Sequence, residues 1–124
     1  MRNVAILKQG DYIIASIQSD LTDAQVLALR DELADLVGLA RARGVVVDVG
    51  ALDVIDSFIA RALRSLAITV RLRGADTVIV GIQPEVAIAM VQFSMNLEPL
   101  RTAIDLDGAL DLLGRRHNRG IHMA

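Results

Sequence analysis

The chain contains no cysteine and no tryptophan, only two prolines, and aromatics at 2% of its 124 residues. Without cysteine there is neither a disulfide framework nor a thiolate metal centre. The net charge of −2 leaves no basic footprint for nucleic acid. No apolar run approaches the ~20 residues of a membrane span, and Met1-Arg2-Asn3-Val4 does not open the long apolar segment of a secretory signal. A cytoplasmic setting is therefore expected, with neither nucleic acid nor membrane as a partner. No glycine-rich phosphate loop of the dinucleotide or Walker type occurs. The two histidines, His117 and His122, fall in a C-terminal stretch without hydrophobic periodicity, so a metal site lacks ligands and a serine nucleophile lacks a general base. No metal and no cofactor are expected, and no enzyme activity.

What the chain has in excess is aliphatic side chains. Hydrophobic residues make up 53% of it, nearly all alanine, valine, leucine and isoleucine. This composition suits an aliphatic core, and equally suits apolar surface covered by other chains. The length fits one domain, which at this size buries roughly two thirds of the surface its unfolded chain exposes.

Short β-branched runs at Val4–Leu7 and Tyr12–Ile17 flank Lys8-Gln9-Gly10-Asp11, which reads as a β-hairpin. Thr22 and Gln25 have capping-box spacing, with Leu21 and Val26 placed to staple across it. The helix they open is expected to run through Arg43 and stop at Gly44, with Val26, Leu29, Leu33, Leu36, Val37 and Ala40 inward. Val45–Val49, apolar apart from Asp48, reads as a strand covered on both faces. A second helix is expected from about Ser57 to Arg73, terminated by Gly74. Its inward stripe is Ile59, Leu63, Leu66 and Val70, and Arg61, Arg64, Ile68 and Arg71 form another face. Thr77–Ile82 reads as a strand. Pro84 suits the first turn of a third helix, apolar on almost every side from Val86 to Val91. Thr102–Ile104 reads as a short strand, and Asp105 as the cap of a helix from Leu106 to about Arg116. The expected organisation is one domain over residues 1–116 and a flexible tail over 117–124. Its class is α/β: a mixed sheet of four to five strands packed by about four helices.

The segment that carries chemistry is Asp53-Val54-Ile55-Asp56-Ser57-Phe58-Ile59-Ala60. A serine between an acidic turn and an apolar helical run sits at a helix N-terminus, where free N–H groups and the dipole favour an anion. Its hydroxyl is a candidate phosphoacceptor whose modification reverses the local charge. Two other roles compete. Serine is a favoured N-cap in its own right, and Asp53 and Asp56 suit turn and cap duty. A phosphorylated receiver domain would use Asp48 instead, but it needs acidic residues after the first strand and a lysine after a late one. Here the first strand leads into Lys8-Gln9, and Lys8 is the only lysine.

Val46-Val47-Asp48, the segment around Asp56-Ser57-Phe58, and Gly81-Ile82-Gln83-Pro84 together resemble the STAS-domain family of anti-sigma-factor antagonists, over about residues 3–115. Ile55-Asp56-Ser57-Phe58-Ile59-Ala60 with Gly81-Ile82-Gln83-Pro84 is similar to the family's RsbS-type, stressosome branch. Simple antagonists carry Asp-Ser-Ser-Gly where this chain has Asp56-Ser57-Phe58-Ile59, which favours the stressosome role over direct binding of an anti-sigma kinase. The resemblance implies a STAS fold and a non-enzymatic scaffold subunit, at least dimeric, phosphorylated on Ser57. It further implies that an RsbT-type serine/threonine kinase is sequestered and then released on phosphorylation, with RsbR-type STAS paralogues as co-assembling partners and an RsbX-type phosphatase as the resetting enzyme. Asp53, Asp56, Phe58, Arg61 and Gln83 are the expected partner-binding residues. A simple anti-anti-sigma factor and a small-ligand-binding STAS module are the alternatives.

Overall fold

The computed structural model describes residues 3–83, 85 and 100–122. The expected third helix, with Pro84 and Val86–Val91, lies outside them. Strands β1 (Val4–Gln9) and β2 (Tyr12–Ile17) form the antiparallel hairpin, with Val4 opposite Ile17 and Gln9 opposite Tyr12. Gly10, in the two-residue turn, has φ of 59°, as such a turn requires. Helix α1 (Asp23–Ala40) leads to β3 (Gly44–Asp48), and α2 (Ser57–Leu72) to β4 (Asp76–Val80). Strand β5 (Arg101–Ala103) and helix α3 (Leu106–His122) complete the described chain. The sheet has five strands in the order β1-β2-β3-β4-β5, all parallel after the hairpin. The expected mixed sheet and α/β class are what the fold shows.

Alternation along the strands divides the interior into two cores. Ile13, Ala15 and Ile17 of β2, Val45 and Val47 of β3, and Ile79 of β4 face α1 and α2, which contribute Leu29, Leu33, Val37, Leu63, Leu66 and Val70. Ile14, Val46, Val78 and Val80 face the opposite way, onto Ala109 and Leu113 of α3. Thus β3 is covered on both sides, and Val45, Val46 and Val47 are fully buried.

The helix ends show which local signals governed. Thr22 caps α1 in a reciprocal box: its hydroxyl accepts from the Gln25 amide at 3.2 Å while its own amide donates to the Gln25 side chain at 2.8 Å. Glycine 74, with φ of 96°, closes α2 in a Schellman arrangement, donating to the Arg71 carbonyl while Ala75 reaches Val70. The end of α1 differs from expectation. Its left-handed residue is Arg41, with φ of 51°, and the Arg41 and Ala42 amides both reach the Val37 carbonyl. Gly44 is not a terminator but the first residue of β3. A Cβ there would stand 2.8 Å from Leu113 Cδ1 and 3.0 Å from the Tyr12 ring, so its bareness serves the seating of α3. Helix α3 also continues past Arg116 to His122. Strand β4 stops at Val80, short of Ile82, because Gly81 takes φ of 85°.

Thr77 is buried facing α1 and α2, and among the described residues its hydroxyl has no hydrogen-bond partner. Valine has the same shape without the polar atom. Thr77→Val is therefore expected to raise stability by about 1 kcal/mol, measured as a shift of the urea midpoint at unchanged slope; a loss of stability contradicts this reading.

Candidate functional site

Ser57 stands at the carboxyl end of the parallel strands, at the start of α2. The connection that carries it is pinned at several points. The Val49 amide donates to the Val80 carbonyl at 3.0 Å, Leu52 to Val49 at 3.0 Å, and Gly50 to Asp48 Oδ1 at 2.9 Å. Leu52 is buried, and Ile55 packs on the core. With these two apolar anchors turned inward, Asp53, Val54, Asp56 and Ser57 are left exposed.

Asp56 is the cap of α2. Its backbone is extended, with φ of −84° and ψ of −179°, and its Oδ1 accepts from the Ile59 amide at 2.8 Å. Ser57 is then the first helical residue. Ser57 is exposed, and its hydroxyl is not needed for capping. The amides of Ser57 and Phe58 belong to the first turn, which has no intrahelical acceptors, so they and the dipole are on hand for an added anion. The capping role that serine itself was a candidate for is taken by its neighbour. Asp56→Ala is expected to cost about 1 kcal/mol through fraying of this turn; hydrogen exchange at Ile59 and Ala60 is the measurement, and unchanged protection there contradicts the assignment.

Phe58 is half-buried, and Arg61 is exposed. Arg61 lies four residues after Ser57, on the same side of α2 and within side-chain reach of it. Gln83, exposed, comes from the loop after β4. That loop and the one carrying Ser57 touch at two glycines: a Cβ on Gly81 would lie 2.7 Å from the Gly50 nitrogen and 2.9 Å from Asp48 Oδ1. The fold thus brings Asp53, Asp56, Ser57 and Phe58 together with Gln83 at one sheet end, and Arg61 one turn along.

Asp48 is tied to the Gly50 amide and packed toward Gly81, holding the turn that presents Ser57. It was not among the expected site residues; its position at a strand end, two residues before Gly50, was the available signal. Helix α3 starts at the same sheet end as Ser57, but Leu113 already reaches Gly44 at the opposite end, and His117 and His122 follow it along the helix. Among the described residues no group of three histidine, aspartate or glutamate side chains is placed to hold a metal ion. No described helix is long and apolar enough to cross a membrane.

Exposed aliphatics accompany the site. Val54 is 70% exposed and Ile104, directly after β5, 92%. Because Ala103 pairs with Val80, Ile104 leaves the sheet at the same end as the Ser57 loop.

Comparison with known proteins agrees with this arrangement. The STAS domain family model matches residues 3–107. A solved structure of a serine-to-glutamate variant of RsbS from Moorella thermoacetica is 32% identical, covering 94% of this chain and 99% of that one, with a TM-score of 0.79. A chain from a structure describing the molecular architecture of the stressosome, a signal integration and transduction hub, is 30% identical, covering 91% and 98%, with a TM-score of 0.72. The unphosphorylated anti-sigma factor antagonist SpoIIAA shares the fold at 15% identity, covering 89% and 95%, with a TM-score of 0.68. No curated protein matches the chain. With the family model spanning both sheet faces and the Ser57 loop, the chain belongs to the STAS-domain family, and its likeness within that family is to RsbS and the stressosome.

Proposed function

We propose that the chain is a non-enzymatic scaffold subunit of a stressosome-like complex, an antagonist that holds a switch serine/threonine kinase of RsbT type and releases it when Ser57 is phosphorylated. The observation that carries this reading is the division of labour at the start of α2: Asp56 makes the cap, and Ser57 is exposed with its hydroxyl left out of that cap. The similarity to RsbS and to a stressosome chain supports RsbR-type paralogues as co-assembling partners, self-association at least to a dimer, an RsbX-type phosphatase to reset Ser57, and a cytoplasmic setting.

A phosphoserine carries about −1.5 to −2 charges near neutral pH. The helix N-terminus accommodates that charge, and Arg61 on the same face is within reach of it, so the domain keeps its fold. The change falls on the partner. A kinase surface shaped to a neutral hydroxyl and to Phe58 meets a bulky dianion beside Asp53 and Asp56, and desolvation and like-charge repulsion oppose docking. ATP and Mg²⁺ belong to the kinase. The direct test is incubation with the candidate kinase and ATP, followed by mass spectrometry: phosphate on Ser57 is the expected result, and phosphate confined to another residue refutes the assignment.

A further inference from the structure

Beside the phosphoacceptor, and separate from it, a cavity of about 160 Å³ opens between the amino-terminal ends of α1 and α2. Its interior is aliphatic, with Leu29 and Leu63 at its base, both buried. Its mouth carries Val54, exposed, and three exposed aspartates, Asp20, Asp23 and Asp56. Among the described residues no lysine, arginine or histidine lines it. A neighbouring hollow along α1 shares Leu21 and Leu29 with it.

The aliphatic interior offers water few polar partners, and its volume suits a group of about benzene size. Three full carboxylate charges grouped around the opening outweigh the roughly half a positive charge at each helix end, and attract a basic visitor. We propose that this cavity anchors a protein segment bearing one aliphatic or aromatic side chain flanked by lysine or arginine. The side chain fills the hollow and the flanking cations meet Asp20, Asp23 and Asp56.

A coupling follows, and this part rests on the phosphorylation of Ser57. Ser57 directly succeeds the mouth residue Asp56, and a phosphate there lies within the screening distance of about 8 Å at physiological salt. Its charge of about −1.5 to −2 exceeds the single positive charge of Arg61, so it still adds to the same negative field. A basic segment is therefore held more tightly by the phosphorylated chain, the reverse of the response proposed for the kinase, so the occupant is a partner that meets the chain after the switch.

The test uses the peptide acetyl-Arg-Lys-Leu-Lys-Arg-amide and methyl NMR on the full Ser57→Ala chain, which separates docking from phosphorylation. The expected result is shifts at Leu21, Leu29, Val54 and Leu63 that saturate, weaken in rising salt, and weaken about two- to fivefold per neutralised carboxylate in Asp20→Asn/Asp23→Asn. These variants leave the Thr22 cap in place. A glycine-centred peptide that shifts the same methyls equally, or leucine-peptide shifts confined elsewhere, overturns the proposal. On the phosphorylated wild-type chain the leucine peptide is expected to bind more tightly; equal or weaker binding overturns the coupling to Ser57.

Discussion

Phosphorylated chain is expected to bind the switch kinase about a hundredfold more weakly than unmodified chain, a difference of about 2.7 kcal/mol. Ser57→Asp is expected to reproduce part of this, because it supplies one charge where phosphate supplies nearly two. Stability separates this effect from unfolding. Ser57 is exposed in the first turn of α2, where a carboxylate gains about 0.3–1 kcal/mol from the dipole. Binding should therefore fall while the melting temperature holds or rises slightly. Ser57→Ala provides the other control: alanine keeps the helix and Asp56 keeps the cap, so the fold and kinase binding persist while labelling disappears. Calorimetric titration against the kinase, paired with thermal melts, reads binding and stability of all three forms, and mass spectrometry reads the labelling. Undiminished binding of both the phosphorylated and the Ser57→Asp chains sinks the electrostatic account; binding lost together with the melting transition assigns the loss to misfolding.

Gly81→Ala is expected to be the most damaging small substitution near the site. At φ of 85° an L side chain costs about 1–2 kcal/mol. The new Cβ would also stand 2.7 Å from the Gly50 nitrogen and 2.8 Å from its Cα, backbone atoms that have no rotamer to move into. Displacing Asp48 Oδ1 from the Gly50 amide removes about another 1 kcal/mol. The total, about 2–3 kcal/mol, lowers the melting temperature by roughly 10 °C for a domain of this size. Gly10→Ala is the comparison, since Gly10 also has a positive φ, of 59°, but nothing lies within 4 Å of its would-be Cβ. It should show the conformational cost alone. Equal losses from the two variants refute the idea that contact between the Ser57 loop and the Gln83 loop matters. The same variant should also weaken kinase binding, because that contact sets the spacing between Ser57 and Gln83.

The hairpin, the Thr22 box, the Gly74 stop and the Asp105 cap were all legible in a few adjacent residues. The box, the stop and the cap depend on hydrogen bonds that span three to five positions and the hairpin on its two-residue turn, and the structure contains each of them, including the Gly108 amide on Asp105 Oδ1 at 2.9 Å. The valine run of β3 was legible for a different reason: only a strand covered on both faces tolerates it. Ser57 itself was placed correctly at the start of a helix. Which of two adjacent residues capped that helix was not decided locally, since aspartate and serine are nearly equal caps. The inward pull of Leu52 and Ile55 fixed the phase of the loop and gave the cap to Asp56.

Gly44 shows the limit most plainly. A glycine after a helical run signals a terminator, and nothing nearby in the chain says otherwise. The reason for it lies at Leu113, in an element that packs on the far face of the sheet. Gly81 and Gly50 meet for the same kind of reason. The amino-acid order alone determined the element types, their caps and the family motif, because periodicity and short-range hydrogen bonding are local. The tertiary structure decided which glycines are bare for packing, which hydroxyl is spare, and where an acidic-mouthed cavity opens, because close approach and burial join residues far apart along the chain.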